Sequence, residues 1–271
     1  MPLFAHADRP VHFGPYPLER LRRGGRPDPA ALPLSAPLVF DHADPRSLVH
    51  AMARYQAMFD IVRDGPITHL AAEIPDDPQA RSAHLKAAGY YFDADLMGIC
   101  ALDPAHHLPE PHRNPQLDAL RAELAQGQPQ THAAGIDAIH ADILDAARSP
   151  HGPVPQHRFA LVIAVGFTRD PVQGEPGTDW LHGAQAQRAA LLANYTAVVL
   201  SSYLRMLGHE ARAHSATTSE VDLPRLALSA GLAHAQDGVA ITPYLGSRYA
   251  LAAVTTTLDL AADSPLAGDG R

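Results

Sequence analysis

Cysteine and lysine are almost missing from this chain of 271 residues. Cys100 stands alone, which excludes a disulfide framework within the chain. A four-iron cluster takes about four thiolates, so this polypeptide by itself is expected to hold no iron–sulfur cluster. Lys86 is the only lysine, and all other positive charge on the main side-chain bases is arginine. A net charge of −8 with a pI near 6.1 argues against a general nucleic-acid binder. Long apolar runs are missing too. The longest, Leu191–Leu207, contains Arg205 and falls short of the roughly 20 residues that cross a bilayer. Arg22-Arg23 is followed by GGRPDPAALPLSAPLV, which prolines break where an export signal needs an apolar stretch. The chain therefore reads as soluble and cytoplasmic, with no membrane partner. No GxGxxG, phosphate-loop, GxSxG or HExxH pattern occurs.

What is present suffices for a sizeable core, since 46% of the residues are hydrophobic. Residues 1–44 are rich in Pro and Gly and read as an extended N-terminal arm anchored by Leu18, Leu21, Leu38, Val39 and Phe40. A disordered tail has the same composition. Residues 45–271 read as one domain. Pro45 introduces RSLVHAMARYQAMFDIVRDG, whose Leu48, Met52, Tyr55, Met58 and Phe59 make one face of an amphipathic helix ending at Gly65. A second helix is expected over 77–89, then a strand in YYFDADLMGICAL and a polar loop over 103–112. Helices follow over 115–125 and 135–147, on either side of the turn-rich GQPQT. RFALVIAVGF reads as a buried strand, and 168–179 as a loop.

The stretch 189–260 organises the rest. AALLANYTAVVLSSYLRMLGHEA is apolar on most sides, which predicts a buried helix stopped at Gly208. ARAHS then reads as a strand, LPRLALSAGL as a helix, and RYALAAVTTTLDL as a buried strand rich in β-branched residues.

YLRMLGHEARAHSATTSEVDLPRLALSAGL, with PYLGSRYALAAVTTTLDLAADSPL after it, resembles the corrinoid-binding domain of reductive dehalogenases. Epoxyqueuosine reductase is a more distant likeness. The early HADRPVHFGPYPLERL and GYYFDADLMGICAL are similar to the dehalogenase branch, so the resemblance runs from about Arg9 to Leu266. Two departures stand out. The family's cysteine-rich segment has no counterpart before Arg271, and AGLAHAQDGV keeps Gly231 and Gly238 but lacks the glycine between them.

The resemblance implies an α+β fold, a nitroreductase-like sandwich with a mixed sheet and flanking helices. It implies cobalamin as cofactor, set against His214, Ser215, Thr217, Thr218, Gly231, Gly238, Gly246 and Thr255. A loop and a β-rich strand explain the same small polar residues structurally. Tyr195 would deliver a proton as a carbon–halogen bond is reduced, and Arg248 would hold the phenolate, because a phenol with a pKa near 10 donates poorly without a nearby cation. A core tyrosine and a structural arginine are the plainer reading of that pair. The chain's 17 histidines show no metal-ligand spacing and read as solvated, and Cys100 as an inert buried thiol.

Three functions follow from the resemblance. One is corrinoid-dependent reductive removal of halogen from a small organohalide, with electrons from a separate donor protein. Another is a non-catalytic half paired with a catalytic partner, since some dehalogenases contain two copies of this fold and the first no longer binds cofactor. The third is a corrinoid-binding carrier. Each is compatible with a homodimer or a heterodimer.

Overall fold

A computed structural model describes residues 9–68, 72–126, 154, 156–167 and 169–267. Its centre is a four-stranded sheet in the order β1 (Leu96–Ala101), β3 (Phe159–Gly166), β8 (Tyr249–Thr256), β4 (Ala211–His214). Side chains alternate across a strand, and β3 is apolar on both sides. Leu161, Ile163 and Val165 enter one core, while Ala160, Val162 and Ala164 enter the other. Each fully buried Leu, Ile or Val stabilises by about 1.5–3 kcal/mol, so this strand is a principal support of the fold.

The first core lies between the sheet and three helices: α1 (Leu48–Ile61), α2 (Pro78–Tyr91) and α5 (Ala184–Met206). Alanines 189, 190, 193 and 197 of α5, with Leu200 and Leu204, give it a thin face that settles closely on the sheet. α3 (Gln116–Gln126) packs on the outside of α1. A one-turn helix α4 (Thr178–Leu181) precedes α5, whose end falls at Gly208, φ +93°. The second core lies beneath α6 (Leu223–Ser229), which Asp222 caps through the Arg225 N–H. Two short pairs complete the described elements: β2 (His107–His112) with β5 (Ser219–Val221), and β6 (His234–Gln236) with β7 (Val239–Ile241).

The α+β class and most of the predicted elements are present, with five corrections. Every described pair in the central sheet is antiparallel, where a mixed sheet was expected. Residues 107–112 form a strand on β5 rather than a loop. The 168–179 loop already begins α4 at Thr178. In the arm Leu18 and Leu32 are the buried anchors, whereas Leu38 and Val39 stand out into solvent. In α1 the buried side is Val49, Ala53, Gln56, Ala57, Asp60 and Ile61, because Gln56 and Asp60 find partners inside. Of the face predicted from Leu48, Met52, Tyr55, Met58 and Phe59, Phe59 packs against the first core, whereas Leu48, Tyr55 and Met58 are exposed. The helix expected over 135–147 and the turn before it lie outside the described residues.

Candidate functional site

The loop between β4 and β5 carries Ser215, Thr217 and Thr218, the hydroxyls expected to meet a corrinoid. They turn inward instead. All three are buried, and each donates to the Asp60 carboxylate at 2.8, 2.6 and 3.0 Å respectively. The side-chain amides of Asn114 and Asn194 reach the same carboxylate at 2.9 Å each. Asp60 is 1% exposed and so joins α1, the entry to α3, α5 and this loop through charge-assisted hydrogen bonds.

A second buried chain starts from His214. Its Nδ1 lies 3.1 Å from Glu220 Oε2, and its Nε2 lies 2.8 Å from Thr255 Oγ1. His157 Nδ1 lies 2.7 Å from the same hydroxyl. One assignment of protons serves these three contacts: His157 donates to Thr255, Thr255 to His214, and His214 to the Glu220 carboxylate, in preference to accepting the longer approach of the Glu220 N–H at 3.4 Å. Arg63 closes the chain with both terminal nitrogens on Glu220. Burial would raise the Glu220 carboxyl, but the hydrogen bonds from His214 and Arg63 outweigh it and hold the group below the usual carboxylate range. Burial lowers His214, and lowers His157 to about 4 with help from the charges nearby. Both imidazoles are neutral around pH 7.

Of the three glycines, Gly231 leaves no room for a ligand. At Gly231, φ +64°, an added Cβ would lie 2.0 Å from Arg23 Nη1, because the arm's guanidinium occupies that space and donates to the Gly231 and Ser264 carbonyls. Gly238 turns the β6–β7 hairpin, and Gly246 faces open space. Tyr195 and Arg248 are not brought together among the described contacts. Tyr195 is 38% exposed on the side of α5 away from the sheet, against the edges of Phe59 and Phe92, rather than in the core as expected. Its helix buries the alanine face instead. Arg248 is exposed in the turn that leads into β8, where its carbonyl accepts from Phe167 N–H.

Of the predicted cofactor positions, Gly238 alone lines a cavity of about 450 Å³, beside Ala216, Ser247 and the start of β8. The arm forms its other wall through Leu32, Leu34 and Leu38, held by the Leu38 N–H on the Ala216 carbonyl and by Ser35 on Asp222. Drug-sized ligands take roughly 300–1,000 Å³, and a corrin with its fringe of amides is larger than those. The hydroxyls that would meet its fringe are engaged inside. These residues do not fit a corrinoid.

The loop histidines do not converge on a metal either. His106 is buried against Ser229 and His112 is bonded to the Ser35 carbonyl. Among the described residues no three His, Cys, Asp or Glu side chains gather as metal ligands, and no helix is long and apolar enough to cross a membrane. His132 and His140 lie outside the described residues. Cys100 is buried in β1, and burial pushes its thiol up, away from reactivity.

Asp60, Asn194, Glu220 and His157 were not foreseen. The available signal was Gln187, Asn194 and Ser201, spaced by seven within an otherwise apolar helix, all three buried on one side of α5.

No protein-family model and no curated protein matches the chain. Solved structures do. The catabolic reductive dehalogenase NpRdhA superposes with a TM-score of 0.72 at 34% identity, over 97% of this chain and 31% of its own. The same enzyme in complex with 3-bromo-4-hydroxybenzoic acid gives the same values. A reductive dehalogenase described for B12-dependent dehalogenation gives 0.71 at 35% identity. The chain thus spans about a third of the length of these proteins. An epoxyqueuosine reductase bound to a tRNA stem loop aligns at 15% identity with a TM-score of 0.41, too loosely to bear on the fold.

Proposed function

Since this chain is a reductive-dehalogenase-like protein, we propose that it serves the corrinoid-dependent reductive removal of halogen from small organohalides as a module that holds no corrinoid of its own. Replacing a carbon–halogen bond with a carbon–hydrogen bond takes two electrons and one proton and releases halide. In this reading the corrinoid and the electrons come from another polypeptide, and this chain contributes a packed body of the same fold. The observation that carries the proposal is the inward turn of Ser215, Thr217 and Thr218 onto Asp60. A site that grips a large ring needs those hydroxyls free. Here they bind the protein to itself, and Arg23 fills the space at Gly231.

The test is to co-express the chain with the corrinoid-bearing remainder of a reductive dehalogenase and follow halide release from a brominated hydroxybenzoate. Co-purification in equal amounts with halide release, and no release by this chain alone with cobalamin and an artificial reductant, is the expected result. Turnover by the chain alone would sink the proposal.

A second reading rests on the apolar cavity beside Ala216. Its wall is the arm, fastened at this point through Leu32, Ser35 and Leu38. If residues 32–40 swing aside, the cavity opens to a larger ligand. Shortening the arm would then raise cobalamin binding, which the first reading does not expect.

A further inference from the structure

We infer that a cavity beside the last turn of α5 binds a small organic monocarboxylate on the open edge of the Arg205 guanidinium. This does not rest on the functional reading above. Arg205 is 7% exposed, and its Nη1 holds the protein together. That nitrogen donates to the Ala211 carbonyl at 2.9 Å and to Ser201 Oγ at 3.2 Å, and reaches the Arg63 carbonyl at 3.5 Å. Nε and Nη2 bond to none of the described residues, and no described acid pairs with the group. Burial lowers the guanidinium pKa. It stays protonated all the same, as arginine does in proteins. A buried charge without a counter-charge is costly.

The unbonded edge has space in front of it. Arg205, Gly65, Ile67, His157, Glu210 and Arg212 line a cavity of about 380 Å³, within the roughly 300–1,000 Å³ of small-molecule sites. A Cβ added at Gly65 would lie 3.5 Å from both Nε and Nη2. The missing side chain at that position therefore leaves the edge uncovered. Nε–H and Nη2–H form the fork that receives a carboxylate through two parallel, charge-assisted hydrogen bonds.

The other charges around the cavity select a monoanion with a carbon body. Asp64 also lines it and is held by Arg212, whose Nε and Nη2 lie 2.7 and 2.6 Å from Oδ2. Glu210 stands beside the neutral His157, 3.8 Å from Nε2. The two arginines and two acids of the lining cancel. A carboxylate on Arg205 adds one negative charge, whereas phosphate carries more and meets both Asp64 and Glu210. Ile67, Val154 and Ala211 give the cavity an apolar wall for a short hydrocarbon chain, which a halide ion lacks.

Isothermal titration calorimetry of the full chain at neutral pH, with butyrate as the probe, tests the site. Butyrate should bind once per chain, and butyramide, of the same shape without the charge, should not bind. Phosphate and chloride should each bind more weakly than butyrate. Gly65→Leu lies at an exposed position outside the left-handed region and leaves the bonds of Arg205 Nη1 intact. It should lower butyrate affinity by roughly tenfold or more, because it covers the fork. Arg205→Lys, which replaces two parallel donors with a point charge, should weaken binding by a similar factor. Circular dichroism and the urea midpoint confirm that each variant is folded, and Gly65→Leu decides the matter if Arg205→Lys is not. No saturable heat with butyrate overturns the inference. So does butyrate binding that is indifferent to Gly65→Leu, or tighter binding of phosphate, chloride or butyramide.

Discussion

Replacing Asp60 with alanine removes the acceptor shared by α1, α5 and the β4–β5 loop. Of its partners, Ser215 and Thr217 can still bond each other at 3.0 Å, and Gln56 can still bond Thr217 at 3.1 Å. Asn114, Asn194 and Thr218 are left with buried donors and no acceptor. Each stranded donor costs about 1–3 kcal/mol. These costs do not add fully, since water can enter the space, and some desolvation of the carboxylate is recovered. The expected loss is about 3–5 kcal/mol, a large share of the roughly 5–15 kcal/mol that holds a domain folded. Asp60→Asn should rescue little, because its amide turns an N–H toward donors, and Thr218→Val, which also takes the acceptor from the Asn114 N–H, should cost about 1–3 kcal/mol. Urea unfolding followed by circular dichroism reads this as a lower midpoint at unchanged slope. A loss below about 1 kcal/mol for Asp60→Ala, or a wild-type-like Asp60→Asn, would refute the claim that this carboxylate organises the loop.

Gly231→Ala should destabilise by about 2–4 kcal/mol through its positive φ and the collision with Arg23, and part of that cost should vanish when Arg23→Ala is added. The two variants and their combination form a double-mutant cycle in urea. Acid should weaken the fold in two stages. His157 and His214 are both held below the usual 6.5, so the stability from their neutral forms is complete above that value and falls as pH drops below it, for His157 down to about 4. Glu220 is depressed as well, so its contribution is complete above the ordinary carboxylate range and is lost progressively as pH falls through that range and below it. His157→Gln should flatten the first stage in a plot of urea midpoint against pH, and an unchanged plot would contradict the assignment. Tyr195→Phe should change stability by less than about 0.5 kcal/mol, since the phenol's hydroxyl stands at an exposed position.

The fold was legible where the pattern is strong. RFALVIAVGF and RYALAAVTTTLDL are short, rich in apolar or β-branched residues and bounded by turn signals, which reads as buried strands, and the helix ending at Gly208 has a clear stop. β5, β6 and β7 escaped notice because three-residue strands carry too little periodicity to register, and β2, HLPEPH, because its two prolines and polar residues read as a loop. The face of α1 was misjudged for a physical reason. Periodicity locates an apolar stripe but not its destination, and here Leu48, Tyr55 and Met58 of that stripe face outward while Gln56 and Asp60 go in. The site was less legible still. Ser215, Thr217 and Thr218 were rightly singled out as a polar group in an apolar setting, but a sequence does not show that an aspartate some 155 residues earlier already engages them.

The most direct test of the account is cobalamin retention. The purified chain is incubated with reduced cobalamin without oxygen, passed through gel filtration, and examined by visible spectroscopy alongside an Asp60→Ala sample. The account predicts that the wild-type chain elutes without corrin absorbance, because its polar loop is bonded inward and Arg23 fills the glycine turn. Stoichiometric cobalamin in the protein peak, with the spectrum of the base-off form, would contradict it.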